Sequence, residues 1–278
     1  MHFENKVAVI TGGGSGIGRA VALALAKLGT NIVIADKDDT RLKAIRQEIE
    51  NIGRRVLTVH CDVSKTADVE NLAAQTLGTM GTVDILMNNA GIGVYGKFEN
   101  MGITDYELVL GINLLGVIRG VMAFLPHMLK KGSGYIINTA SRVGIDGGLE
   151  PYPLSKYAVL GYSERLYMYA RPKGIMVSVL CPGVVKTNLF SDSPYAGTQK
   201  EKAEYQQITA KLFTAPDVLN PDEVARLVID HINERKFFIL TPGNERMVNE
   251  ALNKGRDIQK LEKYLQDNFK DPGPEPPK

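Results

Sequence analysis

Tyr152 and Lys156 stand four residues apart in the run Tyr152-Pro153-Leu154-Ser155-Lys156, so a helix through them brings phenol and ammonium to one face. A free phenol ionises near pH 10. Lowering that by about three units takes roughly 4 kcal/mol of preferential stabilisation of the phenolate. A nearby ammonium supplies positive charge, and the phenol can then take a proton from a hydroxyl or return one to a carbonyl oxygen. Pro153 is tolerated in a first helical turn, where its missing N–H breaks no intrahelical bond. Spacing alone favours a plainer alternative, an aromatic core residue beside a solvated lysine.

A second group of residues points to a nucleotide. Thr11-Gly12-Gly13-Gly14-Ser15-Gly16-Ile17-Gly18 follows an apolar strand and opens a helical pattern. Glycines allow a tight turn and close approach of backbone to a pyrophosphate, and a helix N-terminus offers free N–H groups to the phosphates. Asp36 ends the second apolar run, at the distance expected of a carboxylate that accepts hydrogen bonds from an adenosine ribose. It would repel the 2′-phosphate of NADP, although Lys37 follows directly and partly offsets this. NAD is therefore expected ahead of NADP. A turn aspartate is the alternative for Asp36. Asp62, after the third run, is placed to meet an adenine edge or to cap a turn.

Two further motifs stand in register with these. Asn88-Asn89-Ala90-Gly91 ends a fourth apolar run, and Pro182-Gly183-Val184-Val185-Lys186-Thr187 follows a sixth. Together with the glycine-rich turn and the Tyr152–Lys156 pair, they resemble the short-chain dehydrogenase/reductase family over roughly Asn5 to Leu240. The resemblance implies hydride transfer between a nicotinamide and a CH–OH group, with Tyr152 as general base for oxidation and acid for reduction. Lys156 would lower the phenol pKa and reach the cofactor ribose. Ser141 would hydrogen-bond the substrate oxygen, and Asn113 would hold a water of the proton relay behind the lysine. Cofactor contacts are implied for Gly12, Ser15, Gly16, Ile17, Gly18, Asp36, Asp62 and Val63, and for Asn89, Ala90 and Gly91. They are also implied for Tyr152, Lys156, Pro182, Val185 and Thr187, the last two at the carboxamide. One departure stands out. Only residues 142 to 151 separate Ser141 from Tyr152, a couple fewer than the family usually has. Thr139 would restore that spacing, whereas alignment at the strand end favours Ser141. Asn113 has the alternative of satisfying local backbone groups.

The elements that must position these residues are legible as alternating β-branched runs and amphipathic stretches. Lys6–Ile10, Asn31–Ala35, Arg55–His60, Val83–Met87, Gly134–Asn138, Ile175–Leu180 and Lys236–Leu240 read as strands. Ile17–Leu28 and Thr40–Asn51 read as helices. Such alternation predicts one α/β domain over 1–270, a doubly wound, seven-stranded parallel sheet of Rossmann type with helices on both faces. Asn188–Asn220 reads as irregular, with residues 188–216 a substrate lid or a passive excursion. Its Leu189, Phe190, Tyr195, Tyr205, Ile208, Leu212 and Phe213 suggest an apolar substrate, while Tyr205, Ile208 and Leu212 also have the spacing of a packed helix face. Asp271–Lys278, with four prolines and a glycine, reads as a disordered tail after a long charged helix.

Composition narrows the partners. The 278 residues carry a net charge of +2 without basic clusters, which argues against nucleic acid or an acidic membrane surface. Cys61 and Cys181 read as buried thiols, and four dispersed histidines match no metal spacing. With no signal pattern and no apolar stretch approaching a membrane span, a cytoplasmic protein is expected. Helices around Gly111–Lys130 and Tyr157–Ala170 are the candidates for homo-oligomer contacts, tetramer or dimer. Two other function classes are weighed: an epimerase or dehydratase on the same fold, and a non-catalytic dinucleotide-binding redox sensor. The first usually needs a larger substrate domain, and the second has no use for Tyr152 and Lys156.

Overall fold

The computed structural model describes residues 2–146, 148–215 and 218–242. The expected tail, the charged helix before it and position 216 of the expected lid lie outside the described residues. The apolar runs form β1 (Val7–Thr11), β2 (Asn31–Asp36), β3 (Val56–His60), β4 (Ile85–Asn88), β5 (Gly134–Thr139), β6 (Ile175–Cys181) and β7 (Phe238–Leu240). They pair in the order β3-β2-β1-β4-β5-β6-β7, all parallel. In register, Val33, Val9, Leu86, Ile136 and Val177 make one row across five strands. Ile34, Ile10, Met87 and Ile137 make the adjacent row, which faces the other way because side chains alternate along a strand.

Both rows are buried, so the sheet needs cover on each face. The helices are α1 (Gly16–Lys27), α2 (Asp39–Asn51), α3 (Thr66–Met80), α4 (Ile103–Asn113), α5 (Leu115–Lys131), α6 (Val143–Asp146), α7 (Pro151–Ala170), α8 (Leu189–Asp192), α9 (Gln199–Leu212) and α10 (Pro221–Glu234). Leu25 of α1, Ile45 of α2 and Val228 of α10 close over the Ile10 row. Leu72 of α3, Phe124 of α5 and Val159 of α7 close over the Val9 row. Strand order reverses at β1, whose neighbours are β2 and β4, and a crevice opens beyond their carboxyl ends. The predicted seven-stranded Rossmann-type sheet is the one observed.

Two expectations are corrected. The 29-residue stretch Ile103–Lys131, which contains an 18-residue window of mean hydropathy 2.1, is long and apolar enough by length and composition to cross a membrane, contrary to the expectation that none approaches that length. In this fold it is broken between α4 and α5 at Leu114 (φ −101°, ψ −59°) and packs against the sheet and its neighbouring helices. The region after β6 is largely ordered helix rather than irregular. Thr198 and Glu201 start α9 with a capping box: the Glu201 carboxylate accepts from the Thr198 amide at 2.9 Å, and Thr198 Oγ1 accepts from the Glu201 amide at 3.3 Å. Ile208 and Leu212 of α9 are exposed, so their spacing marks no core face.

Candidate active site

The turn after β1 is shaped by absent side chains. Gly12 has φ +60°, and a Cβ there would lie 2.8 Å from the Ala90 Cα. At Gly18 a Cβ would lie 2.4 Å from the Gly12 carbonyl oxygen, so Gly18 lets α1 approach the turn and does not itself line the cleft. Thr11 Oγ1 accepts from the amides of Asn89 (3.0 Å) and Ala90 (3.1 Å), while Asn89 Nδ2 donates to the carbonyls of Thr11 and Gly12 at 3.2 Å each. These bonds fasten the end of β4 to the end of β1. Asp36, at the end of β2, accepts from the Gly14 amide through Oδ2 (3.0 Å) and from the Asp38 amide through Oδ1 (3.1 Å). Asp62 accepts from the Ser64 amide (3.0 Å) and hydroxyl (2.7 Å), so it both holds a turn and faces the crevice.

A cleft of about 700 Å³ runs along the carboxyl edge of the sheet. Asp36, Asp62 and Val63 stand at one end, and Gly12, Ser15, Gly16, Ile17, Asn89, Ala90 and Gly91 line its middle. Ser141, Tyr152, Lys156, Pro182, Val185 and Thr187 line the other end. Thus the structure brings every expected site residue into the lining of one cleft except Gly18 and Asn113. A turn that a Cβ would fill, a helix N-terminus beside it and a carboxylate at one end suit an elongated dinucleotide. Among the described residues no group of three or more His, Cys, Asp or Glu comes together to hold a metal.

At the far end, Pro151 and Pro153 lie in the first turn of α7 and put Tyr152 and Lys156 on its inward face. Ser141 lines the cleft with Tyr152, where its hydroxyl favours the ionised phenol. Lys156 Nζ donates to the Thr139 carbonyl at 2.8 Å, while Thr139 Oγ1 is buried without a hydrogen-bond partner. Of the two residues weighed for the substrate oxygen, Ser141 therefore lies against the tyrosine, and Thr139 serves the lysine through its backbone. Beneath them, Asn88 Nδ2 donates to Asn138 Oδ1 (2.9 Å) and Asn138 Nδ2 donates to Ser163 Oγ (3.0 Å), tying β4, β5 and α7 together.

The electrostatics differ from the simple expectation of a depressed phenol. Burial pushes Tyr152 up to about 12, opposed by the hydrogen bond from Ser141. Burial also pushes Lys156 down, to about 8. The protein's own groups thus keep the phenol protonated near neutral pH, as a proton donor needs. Burial raises both cysteine thiols to about 12, which fits inert packing rather than nucleophilic chemistry.

Asn113 is fully buried behind this end. Its Nδ2 donates to the Ile92 carbonyl (2.8 Å) and to Ser155 Oγ (2.9 Å), and its Oδ1 accepts from the Ile92 amide (2.9 Å). The side chain clamps the loop after β4 to α7, the local role weighed beside that of holding a relay water.

Several cleft residues were named by no motif: Tyr95 and Arg41 are the most prominent. Tyr95 stacks on Phe190 (5.0 Å between centroids) and Tyr205 (5.3 Å), and stands 6.4 Å from the Tyr152 ring. The segment from α8 to α9 is pinned over the cleft by the Gly93 amide on Ser193 Oγ (2.8 Å), the Tyr95 amide on the Pro194 carbonyl (3.1 Å) and Lys97 on Glu201 (3.0 Å). Tyr95–Gly96 and Tyr195–Ala196 add a two-residue parallel pairing. These contacts join residues about a hundred positions apart.

Comparisons with known proteins agree with this geometry. The short chain dehydrogenase family profile matches residues 6–196. The (2S)-[(R)-hydroxy(phenyl)methyl]succinyl-CoA dehydrogenase subunit BbsD of Thauera aromatica is 33% identical over 221 residues, covering 79% of this chain and 88% of that protein. A short-chain dehydrogenase/reductase from Burkholderia phymatum, solved in complex with NAD, is 34% identical with a TM-score of 0.83, covering 94% of this chain and 96% of the other. A short-chain dehydrogenase from Sphingobium yanoikuyae in complex with NADPH is 25% identical with a TM-score of 0.77, covering 92% and 95%. The chain belongs to the short-chain dehydrogenase/reductase family, as a nicotinamide-cofactor oxidoreductase acting on CH–OH groups.

Proposed function

We propose that the chain is an NAD-dependent oxidoreductase that interconverts a secondary alcohol and its ketone, with the substrate oxygen held between Tyr152 and Ser141. The observation that carries this is that Tyr152 and Ser141 line the same cleft, with the buried Lys156 ammonium 5.6 Å from the centroid of the Tyr152 ring. When bound, the nicotinamide gives or takes the hydride. In reduction, Ser141 orients the carbonyl oxygen and Tyr152 Oη delivers a proton to it. In oxidation, Tyr152 takes the hydroxyl proton, and Lys156 supports the phenolate with its charge. Lys156 and Tyr152 would also hold the nicotinamide ribose, with Val185 and Thr187 at the carboxamide and Asp36 at the adenosine ribose.

Asp36 supports NAD over NADP because its carboxylate would face any 2′-phosphate. Phe190 and Tyr205 support an apolar substrate, and the relative named for a hydroxy(phenyl)methyl group makes phenyl carbinols the first probes. A homo-oligomer is part of the same reading: Leu115 and Met122 of α5 and Tyr157 and Tyr169 of α7 leave large apolar surface exposed. Sedimentation as a monomer at micromolar concentration would remove that element. The test of function is nicotinamide absorbance during oxidation of a secondary-alcohol panel with NAD or NADP. Turnover that is faster with NAD supports the proposal, and failure of every secondary alcohol alongside turnover of a primary alcohol contradicts it.

A further inference from the structure

Arg41 and Asp192 lie 151 positions apart, yet both line the cleft and bond across it. Arg41 Nη2 meets Asp192 Oδ2 at 2.7 Å. The same guanidinium reaches Asp38 Oδ2 through Nε at 3.3 Å and Ser15 Oγ through Nη1 at 3.4 Å. A Cβ built on Gly14 would lie 2.7 Å from the Arg41 Cβ and 2.8 Å from Asp36 Oδ2. Arg41 therefore roots in the same corner as Asp36, while its charged end points to the segment that covers the substrate half.

We propose that Arg41 adds to Asp36 in discriminating between the two nicotinamide dinucleotides, and that Asp192 keeps it from serving a 2′-phosphate. This rests on the assignment of the Asp36 corner to the adenosine ribose. A phosphomonoester there carries close to two negative charges and is best met by a planar guanidinium fork. The corner offers two cations, Lys37 and Arg41, against the carboxylates of Asp36 and Asp38. With the Arg41 fork engaged on Asp192 and Asp38, a 2′-phosphate meets two carboxylates and one lysine. An unphosphorylated ribose needs no cation and is unaffected by the pairing.

The pairing also links the two halves of the cleft. Asp192 precedes Ser193, whose hydroxyl receives the Gly93 amide. A phosphate that draws Arg41 off Asp192 releases one of the bonds holding this cover, while the Gly93–Ser193, Tyr95–Pro194 and Lys97–Glu201 contacts remain. Discrimination at the ribose is thereby tied to closure over the substrate.

The experiment measures dissociation constants of NADH and NADPH, by nucleotide fluorescence, for wild type, Asp192→Asn, Arg41→Ala and the double variant, with far-UV circular dichroism on each. Wild type is expected to bind NADH at least about tenfold tighter than NADPH. Asp192→Asn should tighten NADPH by about tenfold and leave NADH within about threefold. Adding Arg41→Ala should remove that gain. An unchanged NADPH affinity in folded Asp192→Asn overturns the proposal. So does a gain that survives in the double variant, which would assign the phosphate to Lys37. Equal binding of both nucleotides by wild type overturns it while leaving the cofactor assignment standing. Binding of neither overturns that assignment and the proposal together.

Discussion

The Lys156 ammonium stands 5.6 Å from the centroid of the Tyr152 ring. It is buried, and among the described residues its hydrogen bond goes to a neutral carbonyl, that of Thr139, rather than to a carboxylate. Its charge is thus left uncompensated beside the phenol. Burial works on the two groups in opposite directions, holding the phenol protonated and weakening the ammonium's hold on its proton. That balance sets the pH behaviour.

Oxidation needs the phenol ionised and reduction needs it protonated. Since burial pushes Tyr152 upward, kcat/KM for alcohol oxidation should rise with pH between about 7 and 9, while carbonyl reduction stays flat over that range. Lys156→Met should lower oxidation by about 10²- to 10⁴-fold and move its rising limb to higher pH. A variant with the wild-type limb would show that the lysine does not act through the phenol.

The same burial has a stability consequence. Lys156 falls from 10.5 to about 8 in the fold, so between those values the unfolded chain binds the extra proton. Stability contributed by this group therefore rises with pH across that window, and below about pH 8 its full cost stands. Lys156→Met should melt no lower than wild type at neutral pH, its advantage shrinking as pH approaches 10. Thermal melts in which the variant is less stable at pH 7 would contradict this.

Ser141 and Thr139 were the two candidates for holding the substrate oxygen. Ser141 lines the cleft with Tyr152 and acts on its phenol, and Thr139 has a backbone role. Ser141→Ala should cut kcat by about 10- to 100-fold with little change in NADH affinity. Thr139→Val should stay within about threefold, because its hydroxyl has no partner to lose. Steady-state kinetics with the two variants reversed in effect would exchange the assignments.

Asp36 holds the Gly14 amide as well as facing the cleft. Asp36→Asn keeps an acceptor for that amide and removes the charge, so it should raise NADPH affinity with the fold intact. Asp36→Ala should in addition weaken NADH by about tenfold, since a loop bond is lost with the ribose ligand. Equal NADPH affinity in wild type and Asp36→Asn would show that the carboxylate charge does not select the cofactor.

Much of this was legible in the residues because the relevant signals are local. Strand runs, the glycine-rich turn and the Tyr152–Lys156 spacing each lie within a few positions, and a parallel sheet fixes where their carboxyl ends meet. Asn220-Pro221 is likewise a local start signal for α10, where Glu223 accepts from the Asn220 amide at 2.8 Å. The Thr198–Glu201 capping box is equally local, but it lies among turn-forming neighbours that mask it. What escaped depends on tertiary approach. Nothing in sequence couples Arg41 to Asp192 or Tyr95 to Phe190 and Tyr205. The upward shift of Tyr152 also needs its burial, which spacing does not reveal. Asn113 was found by its motif, but its clamp on Ile92 and Ser155 emerged only when α4 met α7.

The central claim is that the Tyr152 hydroxyl moves the proton. It is tested most directly by following nicotinamide absorbance with a phenyl carbinol, for example 1-phenylethanol, in wild type and Tyr152→Phe, with NADH affinity measured for both. Wild-type turnover, with loss of at least about 10³-fold in the variant and NADH affinity within about threefold, is the result predicted. Near-normal turnover by Tyr152→Phe would contradict it.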